Sequence, residues 1–355
     1  MRSVKLTPTR FSAGGYAVDS EFLYALLSTT QTRRPKVIFN CLRGVKTVSI
    51  LYWSLRYGLL SWLNTVPTVS WEEFTNAIET LKNAGRIVEN DDDQLLIVDD
   101  GQSQVELVTQ LYPENLRERA SEVHQRQLIE TTLLAIQATS QQSYQAMQYF
   151  PLSVTEQARK QVRRWFRQPQ QQPLSQAITN WLQTLSAADA QLFVSQLVGH
   201  EHPGLTFTQL ASQLDQPEWQ LRLRQAANWM SLVNFAEQLP PQDGLHALIK
   251  PQLHDRLSKS VRDTLAGVLQ GYSREAISSR RRLKFSTVSE HLLTAAILLP
   301  MEDFPYQKCL TQTDIKSLLA SEPANIDDWD FNQQEAVTDY FTFRLVQIWE
   351  TKNGR

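Results

Sequence analysis

The sequence predicts a mainly α-helical protein of several modules, with a small winged-helix-like β-hairpin near the N-terminus and a helix-turn-helix domain toward the C-terminus. Three observations lead there. A length of 355 residues suits two or three domains better than one. With only 12 Gly and 15 Pro, the chain has too few breakers for a many-stranded barrel or an α/β enzyme with glycine-rich loops, and reads as helices joined by short turns. Apolar residues make up 42% and charged ones 20%, which supplies packed cores and excludes a disordered or fibrous chain.

The first module covers residues 1–113. Thr47 to Leu63 is apolar nearly all round, as a helix at a domain centre must be. After Pro67, Ser70 is placed to cap a second helix, with Glu73 at the capping-box position, Phe74, Ile78 and Leu81 on one face, and Gly85 at its end. Two short apolar runs, RIVEN and QLLIV, flank Asp91, Asp92 and Asp93 and read as strands around a polar turn. Helix, helix, hairpin is the order of a winged-helix unit, a fold that binds proteins as well as DNA.

Residues 114–168 read as a connector of long polar helices ending in Arg159, Lys160, Arg163, Arg164, Trp165, Phe166 and Arg167. Five cations around two aromatics either track a phosphate backbone or form a solvated face with the rings turned inward. Gln168 to Pro173 marks a linker. Residues 174–240 follow as a second helical module, in which LTFTQLASQL, a break at Asp215 to Pro217, and EWQLRLRQAANWM form a helix-turn-helix-like pair. His200 and His202 beside Pro203 and Gly204 lack a third ligand, which argues against a metal site. Pro240 to Gly244 is a further boundary, and an acidic segment with a last helix occupies 322–355.

The third module, 249–321, is the most informative. An amphipathic helix from Val261 to Leu269 ends at Gly271, Ser273 caps a second, and Ser286-Thr287 opens a third. Ile277, Leu283, Val288 and Leu292, with small Ser278, are spaced to pack two helices across a three- to four-residue turn. Arg282 falls where that turn is left-handed, at a cost of about 1 kcal/mol relative to Gly. The third helix then presents Lys284, Phe285, Ser286, Ser289 and Glu290 outward.

The run from Asp263 to Leu292, with Thr264, Leu265, Gly271, Ile277, Arg281, Leu283, Thr287, Val288, His291 and Leu292 at the matching positions, resembles the helicase-associated helix-turn-helix domain. That domain ends some RecQ-type DNA helicases and the YpbB proteins of low-GC Gram-positive bacteria, which share this chain length and lack helicase motors. The resemblance implies a non-catalytic DNA-binding accessory factor of a RecQ-type helicase in DNA repair or recombination. Arg282 and Ser278 depart from the family's small turn residue and Ala. On this reading Arg274, Arg280, Arg281, Arg282, Lys284, Ser286, Thr287 and Ser289 face DNA, mostly phosphates, because Glu290 opposes an anion and Phe285 offers no hydrogen bond to a base. A protein adaptor that holds the helicase without touching DNA, and a transcriptional regulator, are the alternatives.

Neither enzyme chemistry nor a cofactor is indicated. Arg43 to Thr47 resembles a phosphate loop only superficially, since its Gly and Lys are not adjacent and the earlier glycine is missing. Helicase-motor, Ser/His/Asp and HExxH patterns are absent. Cys41 and Cys309 lie far apart in no metal-ligand spacing, consistent with a reducing cytoplasm, and no apolar run suggests a signal or a membrane span. The formal net charge of −2 conceals segregation: Arg2 to Arg56 carries +7, Glu72 to Asp100 −7, Asp255 to Leu292 +4, and Glu302 to Asp339 −7. Overall charge therefore says little about partners. Asp327, Asp328 and Asp330, around Trp329, either dock on a basic partner, mask the protein's own basic face, or form a solvated linker.

Overall fold

Side chains that alternate between one apolar face and one polar face fold here into helices almost throughout. The computed structural model describes residues 18–98, 105–146, 148–168, 172–335 and 338–354. Arg2, Lys5 and Arg10, and residues 169–171 of the linker at 168–173, lie outside them. In chain order the helices are α1 (Ser20–Tyr24), α2 (Pro35–Leu42), α3 (Val48–Arg56), α4 (Trp71–Asn83), α5 (Val105–Leu111), α6 (Glu114–Arg119), α7 (Gln125–Ser143), α8 (Glu156–Phe166), α9 (Leu174–Leu182) and α10 (Ala187–Ser195). They continue with α11 (Phe207–Leu214), α12 (Glu218–Gln238), α13 (Gly244–Ile249), α14 (Lys259–Leu269), α15 (Arg274–Arg281), α16 (Phe285–Leu298), α17 (Tyr306–Cys309), α18 (Gln312–Leu319) and α19 (Tyr340–Lys352). The sheet among the described residues is one antiparallel pair, β1 (Ile87–Glu89) and β2 (Leu95–Ile97), with Ile87 opposite Ile97. No helix among the described residues is long and apolar enough to cross a membrane.

Packing divides the chain into two units that are discontinuous in sequence: Met1–Thr32 with Ser61–His254, and Arg33–Leu60 with Asp255–Arg355. In the first, α12 is the central helix, with α5, α6, α10, α11 and α13 against it, and α13 also meets α7, α8 and α9. The hairpin follows α4, whose Ser70 and Glu73 form the full capping box and whose Phe74, Ile78 and Leu81 are buried, as their spacing predicts. In the second unit α16 is central, contacted by α3, α14, α15 and α19. Its buried set, Val288, Leu292, Leu293, Ala295, Ala296, Ile297 and Leu298, covers more than one face, so neighbours on several sides are needed to exclude water.

The expected long helix from Thr47 to Leu63 is shorter. It ends at Tyr57 because Gly58 adopts φ +66°, its N–H bonds the Leu55 carbonyl, and the Leu59 N–H reaches back to the Ser54 carbonyl. That left-handed stop satisfies the orphan carbonyls of the last turn and redirects the chain into a 3₁₀ turn at Leu60–Trp62. Apolar content alone did not reveal the break, although the glycine marks it. Residues before the break pack with the C-terminal segment: the Lys46 ammonium donates to the Arg256 carbonyl at 3.1 Å, and Arg56 Nε meets Asp327 Oδ1 at 2.6 Å. One acid of the last acidic block thus neutralises one cation of the first basic block. Trp329, two residues on, is buried edge-on against Phe343 at 5.3 Å.

Candidate nucleic-acid interface

The candidate interface is the corner between α15 and α16, and its geometry begins with caps. The Ser273 hydroxyl accepts the Ala276 N–H at 3.2 Å and starts α15. Nine residues after that cap Arg282 stops the helix at φ 53°, ψ 42°, left-handed as the sequence predicts. The Leu283 N–H bonds the Ser278 carbonyl at 3.1 Å, and the Ser278 hydroxyl donates to the Leu283 carbonyl at 2.7 Å. Ser278 thereby fastens a corner that lacks a glycine, which gives its departure from Ala a physical role. The third helix starts at Phe285, earlier than the predicted Ser286-Thr287 opening, and its N-cap Lys284 makes no side-chain cap bond.

Below the corner, Ile277, Val288 and Leu292 are 2% exposed or less, and α14, which contacts both α15 and α16, buries Val261, Leu265 and Val268. Gly267 is what lets α14 and α15 approach. A Cβ there would stand 2.9 Å from Ile277 Cγ1, inside van der Waals contact. Sequence reading passed over this residue; its available signal was a lone glycine inside an otherwise regular amphipathic helix.

A polar knot pins the three helices. Thr264, fully buried, donates to the Ser260 carbonyl at 3.0 Å and stands 2.8 Å from His291 Nδ1. Arg281 joins it, with Nη1 on the Ser260 carbonyl at 2.8 Å and on the Thr264 hydroxyl, and Nη2 on Ser260 Oγ at 3.1 Å. With the Thr264 proton used on Ser260, the Nδ1 of a neutral His291 is the donor to Thr264 Oγ1. Burial, and then the Arg281 charge, hold the His291 pKa below its usual value. The imidazole therefore works as a packing and hydrogen-bonding group at neutral pH.

The eight residues predicted to face DNA separate into two sets. Arg280, Arg282, Lys284 and Ser286 are exposed. Arg282 and Lys284 make no ion pair among the described residues, and the Arg280 guanidinium lies over the Tyr272 ring at 3.9 Å. The other four are engaged within the fold or half-buried. Arg281 is consumed by the knot. Arg274 donates to Ser289 Oγ at 3.2 Å, pairs with Asp339 Oδ2 at 2.7 Å, and lies 4.1 Å from the Phe341 ring centroid, tying α15 to the start of α19. Burial tends to raise the Asp339 pKa, but the Thr342 N–H and the Arg274 charge outweigh it and the net direction is down. Thr287 and Ser289 are half-buried. The surviving surface is a short arc of three cations and one hydroxyl, with Phe285 42% exposed beside it.

Among the described residues no group of three or more His, Cys, Asp or Glu could hold a metal ion. His200 instead stacks on Tyr144 at 4.6 Å and bonds Gln141 through Nδ1 at 3.3 Å.

Compared with curated proteins, the chain is 33% identical over 116 residues to Protein YpbB of Bacillus subtilis (strain 168). The matched stretch covers 31% of this chain and 32% of that protein, so the likeness spans about a third of either. No family model matches the chain, and no solved structure does.

Proposed function

We propose that the protein is a non-catalytic DNA-binding accessory factor acting with a RecQ-type helicase in DNA repair or recombination, and that α14, α15 and α16 are its helix-turn-helix domain. The observation that carries the reading is the exposed arc of Arg280, Arg282 and Lys284, without a carboxylate partner among the described residues, at the corner where two helices meet. Cations so placed neutralise phosphates and position the protein without reading bases. Exposed Glu290 lies on the following turn and limits any deeper approach to a groove. The resemblance of residues 263–292 to the helicase-associated pattern is what supports the choice of partner. In the same reading α4 and the hairpin are the winged-helix-like element, and the protein works in the cytoplasm at the nucleoid.

Binding of the full chain to duplex, forked and single-stranded DNA across salt concentration tests the DNA claim. The expected result is duplex binding that weakens as salt rises and that Arg282→Glu with Lys284→Glu reduces about tenfold or more, lowering the log–log salt slope by roughly two. Absence of binding at low salt, or indifference to both reversals, sinks it. A nuclease-treated pull-down that retains a helicase while DNA binding fails selects the adaptor reading instead.

A further inference from the structure

The first unit carries a second anion-complementary feature that shares no residue with the α15–α16 corner. Helix α8 buries Ala158, Val162 and Trp165, and Trp165 Nε1 donates to the Gly244 carbonyl at 2.7 Å. Thr155, its N-cap, donates from N–H and hydroxyl to the buried Glu130 of α7, at 2.9 and 2.5 Å. These anchors fix the roll of the helix. Arg159, Arg163 and Arg167, at i, i+4 and i+8, then form one exposed stripe, and Lys160 and Arg164 stand beside it.

Between that stripe and α7 lies a groove of ≈ 940 Å³. Its floor is Leu134, Ala138 and Val162, its rim holds the three arginines with Phe166 and Tyr149, and its lining contains no Asp or Glu. Arg159 is partly engaged, donating to the Val154 carbonyl at 3.0 Å and lying 3.9 Å from Glu156. Arg163 and Arg167 make no ion pair among the described residues. Phe166 is 37% exposed and meets the buried Trp165 edge to face, with ring planes at 77°, so ring surface of Phe166 stays open toward solvent.

We infer that this groove is a binding site for single-stranded nucleic acid, with Arg163 and Arg167 on successive phosphates and Phe166 as a stacking platform for a base. Three features select that occupant. A stripe recurring every fourth helical residue repeats about every 6 Å, a regular spacing suited to a polymer with one charge per unit. Ring faces beside an apolar floor have nothing to meet on a duplex, whose bases face one another, but they meet the π-faces of unpaired bases. Lys160 and Arg164 flank the stripe, a broader positive face than a peptide with one or two carboxylates requires. The site is independent of the duplex contacts proposed for Arg282 and Lys284, and together they suit a protein working where strands separate.

The test uses the full chain and a labelled oligodeoxythymidine of about twelve nucleotides, read by fluorescence anisotropy at several salt concentrations, beside a duplex of the same length. Arg163→Glu with Arg167→Glu is expected to weaken oligodeoxythymidine binding roughly a hundredfold at low salt and to flatten its salt slope by about 1.4. Phe166→Ala is expected to weaken it roughly tenfold with little change in slope. Thermal unfolding of all variants stays near that of the parent, because the altered groups are exposed. A parent chain that binds the oligodeoxythymidine but not the duplex overturns the reading of the corner at Arg282 and Lys284 and leaves the groove standing. Strand binding indifferent to the α8 reversals overturns the groove, as does a groove that takes an acidic peptide bearing an apolar residue but no oligodeoxythymidine.

Discussion

Two corners of this protein have nearly the same backbone and different surfaces. In the first unit, Thr206 caps α11 in a full capping box with Gln209, Asp215 ends the helix at φ 51°, and α12 begins at Glu218. In the second, Ser273 caps α15, Arg282 ends it at φ 53°, and α16 begins at Phe285. Each short helix has eight residues, and each corner leans on an aliphatic cluster, Leu192, Leu210 and Leu221 in one case and Ile277, Val288 and Leu292 in the other. The charges differ. At the first corner Arg222 pairs with Glu218 at 2.5 Å and lies over Phe207, and Arg224 pairs with Asp189 at 2.8 Å. At the second, the inward cations Arg274 and Arg281 are equally committed, but Arg280, Arg282 and Lys284 face solvent. A corner between two helices is thus a solution to packing, and its surface charge decides whether an anion finds a place on it.

The comparison breaks most visibly at Arg281. Arg281→Ala leaves buried Thr264 and the carbonyl and hydroxyl of Ser260 short of a donor, and the second unit is expected to lose about 2 to 3 kcal/mol of stability in denaturant titration. Arg280→Ala, one residue away and exposed, should lose no more than a few tenths. Equal effects would show that the knot is not what holds the helices. Next in size is Gly267→Ala. The gain in helix propensity of up to about 1 kcal/mol is outweighed by overpacking against Ile277, which costs roughly 1 to 3, so the net loss is about 1 kcal/mol. A stabilised variant would mean that Ile277 has room to move.

Arg282→Gly sharpens the comparison by separating stability from binding. Removing a side chain from a left-handed residue is expected to add about 1 kcal/mol of stability, while the loss of one phosphate contact lowers the salt slope of duplex binding by about 0.9. Asp215→Gly at the first corner should gain only a few tenths, because Asp tolerates this region better, and should leave duplex binding unchanged. Last comes pH. The folded pKa of His291 lies below its unfolded value, so the unfolded chain binds the extra proton first and stability is lost as pH falls below the unfolded value, near 6.5. The melting temperature of the parent should therefore fall more between pH 7.5 and 5.5 than that of His291→Phe; identical slopes would remove His291 from the knot.

What local sequence encodes was legible. Caps and left-handed stops depend on residues three to six apart, so Ser70 with Glu73, Ser273, Gly85, Gly271 and Arg282 stand where the pattern places them. The hairpin around Asp91 to Asp93 was legible for the same reason. The candidate site was legible as a segment and illegible residue by residue. Arg280 and Arg281 are neighbours in sequence, yet one points to solvent and the other into a knot whose partners, Ser260 and Thr264, lie on a different helix. The arginine stripe on α8 showed itself as five cations and two aromatics, but only burial separated Trp165, at 3%, from Phe166, at 37%.

By itself, then, the sequence determined the helical class, the caps at Ser70 and Ser273, the left-handed corner and the positive charge of the segment that carries it, because each follows from contacts within one or two turns. Tertiary structure decided that residues 33–60 complete the C-terminal unit, that Asp327 and Asp339 neutralise Arg56 and Arg274, and which cations remain outside. Those outcomes join residues up to 271 positions apart, where the free energy comes from burying apolar faces together. Ion pairing at such distances along the chain is a consequence of that burial and cannot be read from spacing.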